Sequence, residues 1–589
     1  MRPRGRHLGP RLGAAGALAL AGALSLGGLL PAASPVALAG DAPAPASAPA
    51  DLAALEKVRG LLREGNRAGA LEAAKALVAA SPSDVEAHLL YQDAARGQVA
   101  TQVLLTDYQG RATREPGGSS AFLLSRLQPA GDAEKTLRDA LGRDAKSYWA
   151  QVGLASALAR QGKAVQAEVA ALAAMDLRSG DARAASRAGS QCAEARRFAS
   201  AETCFRKALA SDPAFPGAVM GLSHALLRQG KLDDAQTAFA TLPPERQPSA
   251  SRLLFAAALA SEKGDAVAAE EALKKVLALS SGDTDAQVQL SLLRLRKVEA
   301  AALAAGKKVE TPAIAADLAS LQKCALALPD RGDIRYALGY AREISGDSDG
   351  ALSDYREAAR LDPLDGDSIA AVGAILLGKG LLDDAGREFL HALDRDPDDG
   401  VALANLAYVY DQQGKTKEAL EIYQHLVKQE PTNARAWHGL GLALDAAGKA
   451  KDALTPLQKA TELAPAVTRF LRDYGEALFF AKRFDKAEEV LAKVVAADPK
   501  DDDAWDALGR ARDQQRKYAE ALAAYEKVGE LREKDKDVHL LMGALYQEFQ
   551  KDYEKAIAHY NKYLALGGDA GDCEDWIAEC QAEIDRKKN

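Results

Sequence analysis

GDSIAAVGAILLGKGLLDDAGREFLHALDRDPDD, residues 366–399, holds two short helical patterns, one glycine turn and one Asp-Pro stop. In the first half Ile369, Val372, Ile375 and Leu376 recur at the spacing of an amphipathic helix. Gly380 lets the backbone leave that helix, as glycine does near a helix C-terminus. A second helix is predicted from near Leu381, with Asp383 and Asp384 in its first turn, where carboxylates suit the positive end of the dipole. Ala385, Phe389, Ala392 and Leu393 form its apolar stripe, and Asp396-Pro397-Asp398-Asp399 ends it. The small residues Gly373, Ala385 and Ala392 allow two axes to approach, while Phe389 fills the volume between units.

This stretch is one copy of many. Pro363, Pro397, Pro431, Pro465 and Pro499 fall every 34 residues. Ala351, Ala385, Ala419, Ala453, Ala487 and Ala521 keep the same interval, as do Gly346, Gly380, Gly414 and Gly448. A second glycine series runs Gly339, Gly373, Gly441, Gly475, Gly509 and Gly543, with Ala407 in its one gap. A fixed period of this length predicts one supersecondary unit copied along the chain, each burying its apolar face on its neighbours. Such an array is a surface for holding partners and leaves little room for an enzyme.

Trp437, Leu440, Gly441, Leu444, Gly448, Ala453, Leu457, Ala460 and Pro465 resemble the tetratricopeptide repeat (TPR) consensus. Trp505–Leu508–Gly509–Ala521–Tyr525 and Leu406–Tyr410–Gly414–Ala419–Tyr423–Pro431 are similar to it as well. The resemblance implies an all-α superhelical solenoid of antiparallel helix pairs, of the exported bacterial type. Regular repeats are expected over 332–569, with a one-residue slip before Ala556 and Tyr560, and a capping helix over 570–589. Residues 51–331 read as degenerate repeats in a similar rhythm. Within them, residues 110–131, with Pro116-Gly117-Gly118 and Pro129, read as a long loop. Residues 303–313 interrupt the rhythm again after a long Leu/Arg helix at 285–303, and Trp149 to Gly162 suggests an extended first helix.

Arg2, Arg4, Arg6 and Arg11, followed by an Ala/Leu/Gly-rich run and Ala37-Leu38-Ala39, read as a signal peptide over 1–39 cleaved after Ala39. Residues 40–50 then form an Ala/Pro-rich linker. The expected location is the periplasm or outside the cell, soluble, with no membrane span after cleavage. Loss of the four leader arginines takes the formal charge from −8 to −12. That argues against nucleic acid or an anionic membrane as partner, since phosphate contacts need a basic stripe.

Chemistry-bearing motifs are few. Asp394, Asp396 and Asp398 lack the glycine and the closing glutamate of a calcium loop. Asp501-Asp502-Asp503 reads as a solvated helix start, and the eight histidines show no paired ligand spacing. No nucleophile elbow, Walker loop or dinucleotide fingerprint occurs. No catalytic residue, metal or cofactor is therefore expected. Cys192, late in one helix, and Cys204, midway along the next, are placed either to form a disulfide or to act as small buried fillers. Cys573 and Cys580, seven apart on one helix, cannot pair with each other.

The remaining candidate is the concave groove, which in the resembled family is lined by positions 2, 5, 9 and 12 of each first helix. Carried onto this chain, and extended to adjacent positions, the resemblance implies Tyr336, Tyr340, Asn405, Tyr408, Asp411, Arg435, His438, Arg469, Arg472, Glu476, Phe479 and Arg510 as the partner-binding face, joined by Asp445, Asp506 and Asp513. Aromatics and arginines are the usual anchors of such faces. The Lys/Asn set of the family's carboxylate clamp is not reproduced. These readings lead to a non-enzymatic scaffold that binds proteins or peptides in the cell envelope. The alternative is a glycan- or peptidoglycan-binding adaptor, in which Tyr336, Tyr340, Tyr408 and Phe479 stack on sugar rings.

Overall fold

The computed structural model of the chain describes residues 52–63, 66–243, 249–304 and 307–588. The expected signal peptide, its cleavage site and the 40–50 linker lie outside the described residues. These contain thirty-one α-helices, one π turn and no strand, with consecutive helices paired antiparallel. The all-α repeat architecture read from residues 366–399 is the one observed.

Each feature of the 34-residue beat has a physical job. The polar residue after the proline caps the next helix: Asp399 accepts from the amides of Val401 (2.9 Å) and Ala402 (3.2 Å), and Asn433 from Arg435 and Ala436 (both 3.1 Å). The proline's own carbonyl is used too. Pro431 O accepts from Trp437 Nε1 at 2.9 Å and Pro499 O from Trp505 Nε1 at 3.1 Å, which ties the unit's tryptophan to the loop before it. The glycines of the 339–543 series sit where a ring or a leucine of the second helix arrives. A Cβ on Gly339 would lie 2.8 Å from Tyr355, on Gly509 2.7 Å from Tyr525, and on Gly475 2.7 Å from Leu491.

The turn between paired helices requires a left-handed backbone. Gly346, Gly380, Gly414 and Gly448 all have φ between +72° and +89°. The next two positions on the beat are Lys482 (φ +61°) and Arg516 (φ +64°), which adopt the same conformation without glycine's freedom. Gly162, Arg196, Gly230 and Gly264 form an equivalent 34-residue series in the N-terminal part. From Gly264 to Gly346 the distance is 82 residues, fourteen more than two periods, and the long helices Thr284–Ala304 and Thr311–Ala327 lie between them.

Contacts divide the chain into two compact units, one ending at Lys379 with 391–397, the other comprising 380–390 and residues from 398 onward. Within the N-terminal unit, the loop 362–365 reaches back across 166 residues. Arg196 Nη2 donates to Asp362 Oδ2 at 2.9 Å and Asp365 Oδ1 at 3.1 Å, Leu364 joins the core packed around Phe205 and Phe255, and Pro363 lies against Gly162. This bridge joins distant repeats directly, where a simple repeat array makes only neighbour contacts.

Several sequence expectations need correction. Residues 110–131 are not a long loop: helix Thr101–Arg114 runs into them, and Gly118–Ser125 is a helix. The apolar run Ala121-Phe122-Leu123-Leu124 is fully used in the core, and its burial outweighs the flanking Pro and Gly signals. The first helix after Ser147 is not extended. It spans Tyr148–Ala159, twelve residues, and Trp149 sits nearer its start than Trp437 does in helix Ala434–Ala446. The one-residue slip before Ala556 appears as the π turn Tyr546–Gln550, followed by Lys551 at φ +56°. Pro456 is buried inside helix Ala450–Leu463, which continues through it.

Candidate functional site

The C-terminal unit carries most of the predicted groove residues on its first helices Gly400–Gln412, Ala434–Ala446, Thr468–Phe480 and Asp502–Gln514. Three subsets emerge. Asn405 and His438 are buried, 2% and 7% exposed. His438 Nε2 pairs with Asp473 Oδ2 at 2.7 Å and its ring stacks on Phe470 at 4.4 Å, so it is spent on contacts within the chain. The arginines form the second subset, and they are engaged. Arg472 Nη1 holds both carboxylate oxygens of Asp501 at 3.0 and 3.1 Å, Arg469 lies 3.8 Å from Asp473, and Arg510 pairs with Asp506 at 3.1 Å while covering the Phe479 ring at 5.3 Å. Arg435 is exposed.

Asp411, Asp445 and Glu476 form the third subset. Asp411 and Asp445 occupy the same position of successive first helices, and Glu476 lies one helical turn from that position on the next, beside Phe479. Asp411 has a 3.5 Å contact from the amide of its neighbour Gln412; among the described residues no cation is set against Asp411 or Asp445, while Arg510 and Arg472 lie near Glu476. Burial pushes all three carboxyls above the ordinary range, Glu476 to about 7 even with Arg510 and Arg472 nearby. Tyr408 stands one turn from Asp411, half-buried.

Asp501, Asp502 and Asp503 bring their carboxylates within 4.8 Å of one another, the described residues' one grouping with the spacing of a metal site. Two guanidiniums already answer that charge, Arg472 on Asp501 and Arg532 on Asp502 and Asp503, and Asp501 also caps its helix through Ala504 N at 2.9 Å. The triad is a helix start stapled to its neighbours.

In the N-terminal unit, Tyr336 and Tyr340 are not on an open surface. They are 2% and 7% exposed. Tyr336 packs on Tyr355 at 5.3 Å, and Tyr340 donates its hydroxyl to Glu299 Oε2 at 2.5 Å. The long helix Thr284–Ala304 brings Glu299 over Tyr340, and the apolar bodies of both rings are consumed in the core. Cys192 and Cys204 are both buried and both thiols. The neighbouring Cys204 thiol and burial together hold the Cys192 thiol well above its ordinary range. What sequence reasoning missed is the Arg196 bridge, which has no motif. Its one trace in the sequence is an arginine in a series whose other members, Gly162, Gly230 and Gly264, are glycine.

Residues 426–539 match the family model of the cytochrome c-type biogenesis protein H TPR domain. Tetratricopeptide repeat models match residues 193–259 and 376–443, and residues 537–566. No curated protein matches the chain. Among solved structures, the chain resembles the APC/C hetero-tetramer Cut9–Hcn1 at 18% identity and a TM-score of 0.50, over 85% of this chain and 96% of that one. That likeness is one of fold. A tetratricopeptide repeat protein from Parabacteroides merdae matches at 20% identity over 42% of this chain and 98% of its own, with a TM-score of 0.32. MamA from Desulfovibrio magneticus matches at 25% identity over 29% and 95%, with a TM-score of 0.28. The repeats of this chain are tetratricopeptide repeats, an architecture of protein-binding scaffolds that typically lack catalysis.

Proposed function

We propose that the protein is an exported tetratricopeptide scaffold whose C-terminal unit holds a segment of a partner protein in an envelope assembly of the cytochrome c maturation kind. One observation carries this reading. The stretch resembling the cytochrome c-type biogenesis protein H TPR domain, residues 426–539, spans the helices that bear Arg435 through Arg510. The arginine-rich leader and Ala37-Leu38-Ala39 support export, and no described helix is long and apolar enough to cross a membrane. The glycan alternative loses two of its four stacking rings, because Tyr336 and Tyr340 lie in the interior.

Deletion of the gene in the source organism, followed by haem staining of envelope proteins, tests the assignment. The expected result is loss of covalently haem-bearing cytochromes, restored by the wild-type chain. Unchanged haem staining sinks the cytochrome reading. N-terminal sequencing of the native protein tests export separately, with a start at Gly40 expected and an intact Met1 in the cytoplasmic fraction as the refuting result.

A further inference from the structure

We infer that the concave face of the C-terminal unit receives an extended peptide segment bearing lysine or arginine at about every third residue, seated on Asp411, Asp445 and Glu476. The inference rests on the groove reading above and gives the partner a chemical class. Three properties of the face point to it.

Charge is the first. Three arginines of this face are spent on aspartates of the chain, Arg469 on Asp473, Arg472 on Asp501 and Arg510 on Asp506. Asp411 and Asp445 are left without a cation, and Glu476 is held above the ordinary range by burial although Arg510 and Arg472 lie near it. A half-buried carboxylate without a partner is held at a cost in the free protein, and an incoming cation relieves it. The free face therefore favours positive side chains over negative ones.

Spacing is the second. The carboxylates sit on three consecutive first helices, Gly400–Gln412, Ala434–Ala446 and Thr468–Phe480, and neighbouring first helices touch. Packed helices lie roughly 8–10 Å apart, and an extended chain advances about 3.3 Å per residue. One rung thus corresponds to about three residues of the guest.

The third property is what flanks the charges. Tyr408 stands one turn before Asp411, while Phe479, one turn after Glu476, already carries the chain's own Arg510 over its ring. Half-buried aromatic surface beside a carboxylate suits the alkyl stem of a lysine or the flat guanidinium of an arginine, whose heads reach the acid while their stems cover the ring.

The test uses the full chain and two synthetic peptides, one with lysine at every third position in an Ala/Ser background and one with glutamate at the same places, read by fluorescence anisotropy. The lysine peptide is expected to bind, with affinity lowered at least tenfold in the triple variant Asp411→Asn, Asp445→Asn, Glu476→Gln and lowered by added salt. Preference for the glutamate peptide, or no binding of the lysine peptide, or binding undiminished in the triple variant, each overturns the inference. A photo-crosslinking residue in place of Tyr408, used in the native envelope, separates this from the wider reading. A partner captured there while the lysine peptide fails means the groove is used and the charge class is wrong. Nothing captured there means the groove itself is not the site. Circular dichroism of the triple variant, expected to match the wild type because the substitutions are isosteric, guards against misfolding.

Discussion

Replacing Arg196 by glycine sets two effects of opposite sign against each other at one residue. Its backbone is left-handed, φ +55°, which costs a non-glycine residue about 1 kcal/mol that glycine recovers. Its side chain bridges 166 residues to Asp362 and Asp365, and the Asp365 carboxylate is buried. Stripping one partner from a buried pair costs about 3–5 kcal/mol, and the half-exposed Asp362 contact adds less than about 1 kcal/mol. The bridge wins, with a net loss of roughly 2–4 kcal/mol, equivalent to a rise of about 30- to 700-fold in the undocked population of the loop. Native-state hydrogen exchange read by mass spectrometry over 362–366 measures this directly, since the amides of Leu364, Asp365 and Gly366 are all bonded within the loop. Arg516→Gly supplies the backbone term alone, because Arg516 has the same φ region and an exposed side chain. pH adds a second readout. Burial holds the Asp365 carboxyl up at about 6 despite Arg196, above its unfolded value near 3.9. Between those values the folded chain binds a proton that the unfolded chain does not, so this group's contribution to stability falls as pH rises from about 4 to about 6. The ion pair exists only above that window, and the excess exchange of Arg196→Gly should shrink from pH 7.5 towards pH 5. Loop exchange in Arg196→Gly equal to wild type at pH 7.5 would refute the bridge.

Turn geometry predicts opposite outcomes for exchanges at equivalent positions: Lys482→Gly should stabilise the C-terminal unit and Gly414→Ala destabilise it, each by about 1 kcal/mol in urea titrations. Gly509→Ala drives a methyl to 2.7 Å from the Tyr525 ring, and the overpacking, about 1–3 kcal/mol, exceeds the helix-propensity gain of about 1 kcal/mol. Gly60→Ala meets no atom within 4 Å and should gain up to about 1 kcal/mol, so equal effects at the two glycines would undo the packing argument. Removing helix Gly571–Lys588 uncovers Tyr560, on which Trp576 packs at 5.6 Å, and the truncated chain should self-associate in size-exclusion chromatography.

Much of the fold was legible because repetition writes each physical requirement many times over. Gly346 alone is an ambiguous glycine; with Gly380, Gly414 and Gly448 it is a turn. Likewise Gly509 and Tyr525 announce their contact through Gly339 and Tyr355. The candidate site was less legible. Positions 2, 5, 9 and 12 select a face of a helix, yet they do not say how deep it sits. Tyr336 and Tyr340 occupy such positions but are covered by the protein's own helices, and His438 is turned to Asp473. Periodicity was also silent about anything occurring once. The contact of Arg196 with Asp362 and Asp365 has no second copy to betray it, and helix Gly118–Ser125 was hidden by the Pro and Gly that precede it.

The π turn at Tyr546–Gln550 shows how this architecture handles a frameshift. One surplus residue between Gly543 and Ala556 would rotate everything after it by about 100° if the helix stayed regular. Widening a single turn and returning through Lys551 absorbs the surplus, and Tyr560 still meets Gly543 as Tyr525 meets Gly509. Errors in length are thus corrected within the helix that contains them and do not propagate. A chain built this way can gain a residue at the end of a first helix while its packing code stays in phase. Such junctions are the natural places for an inserted tag or a lineage-specific loop to enter without disturbing the array.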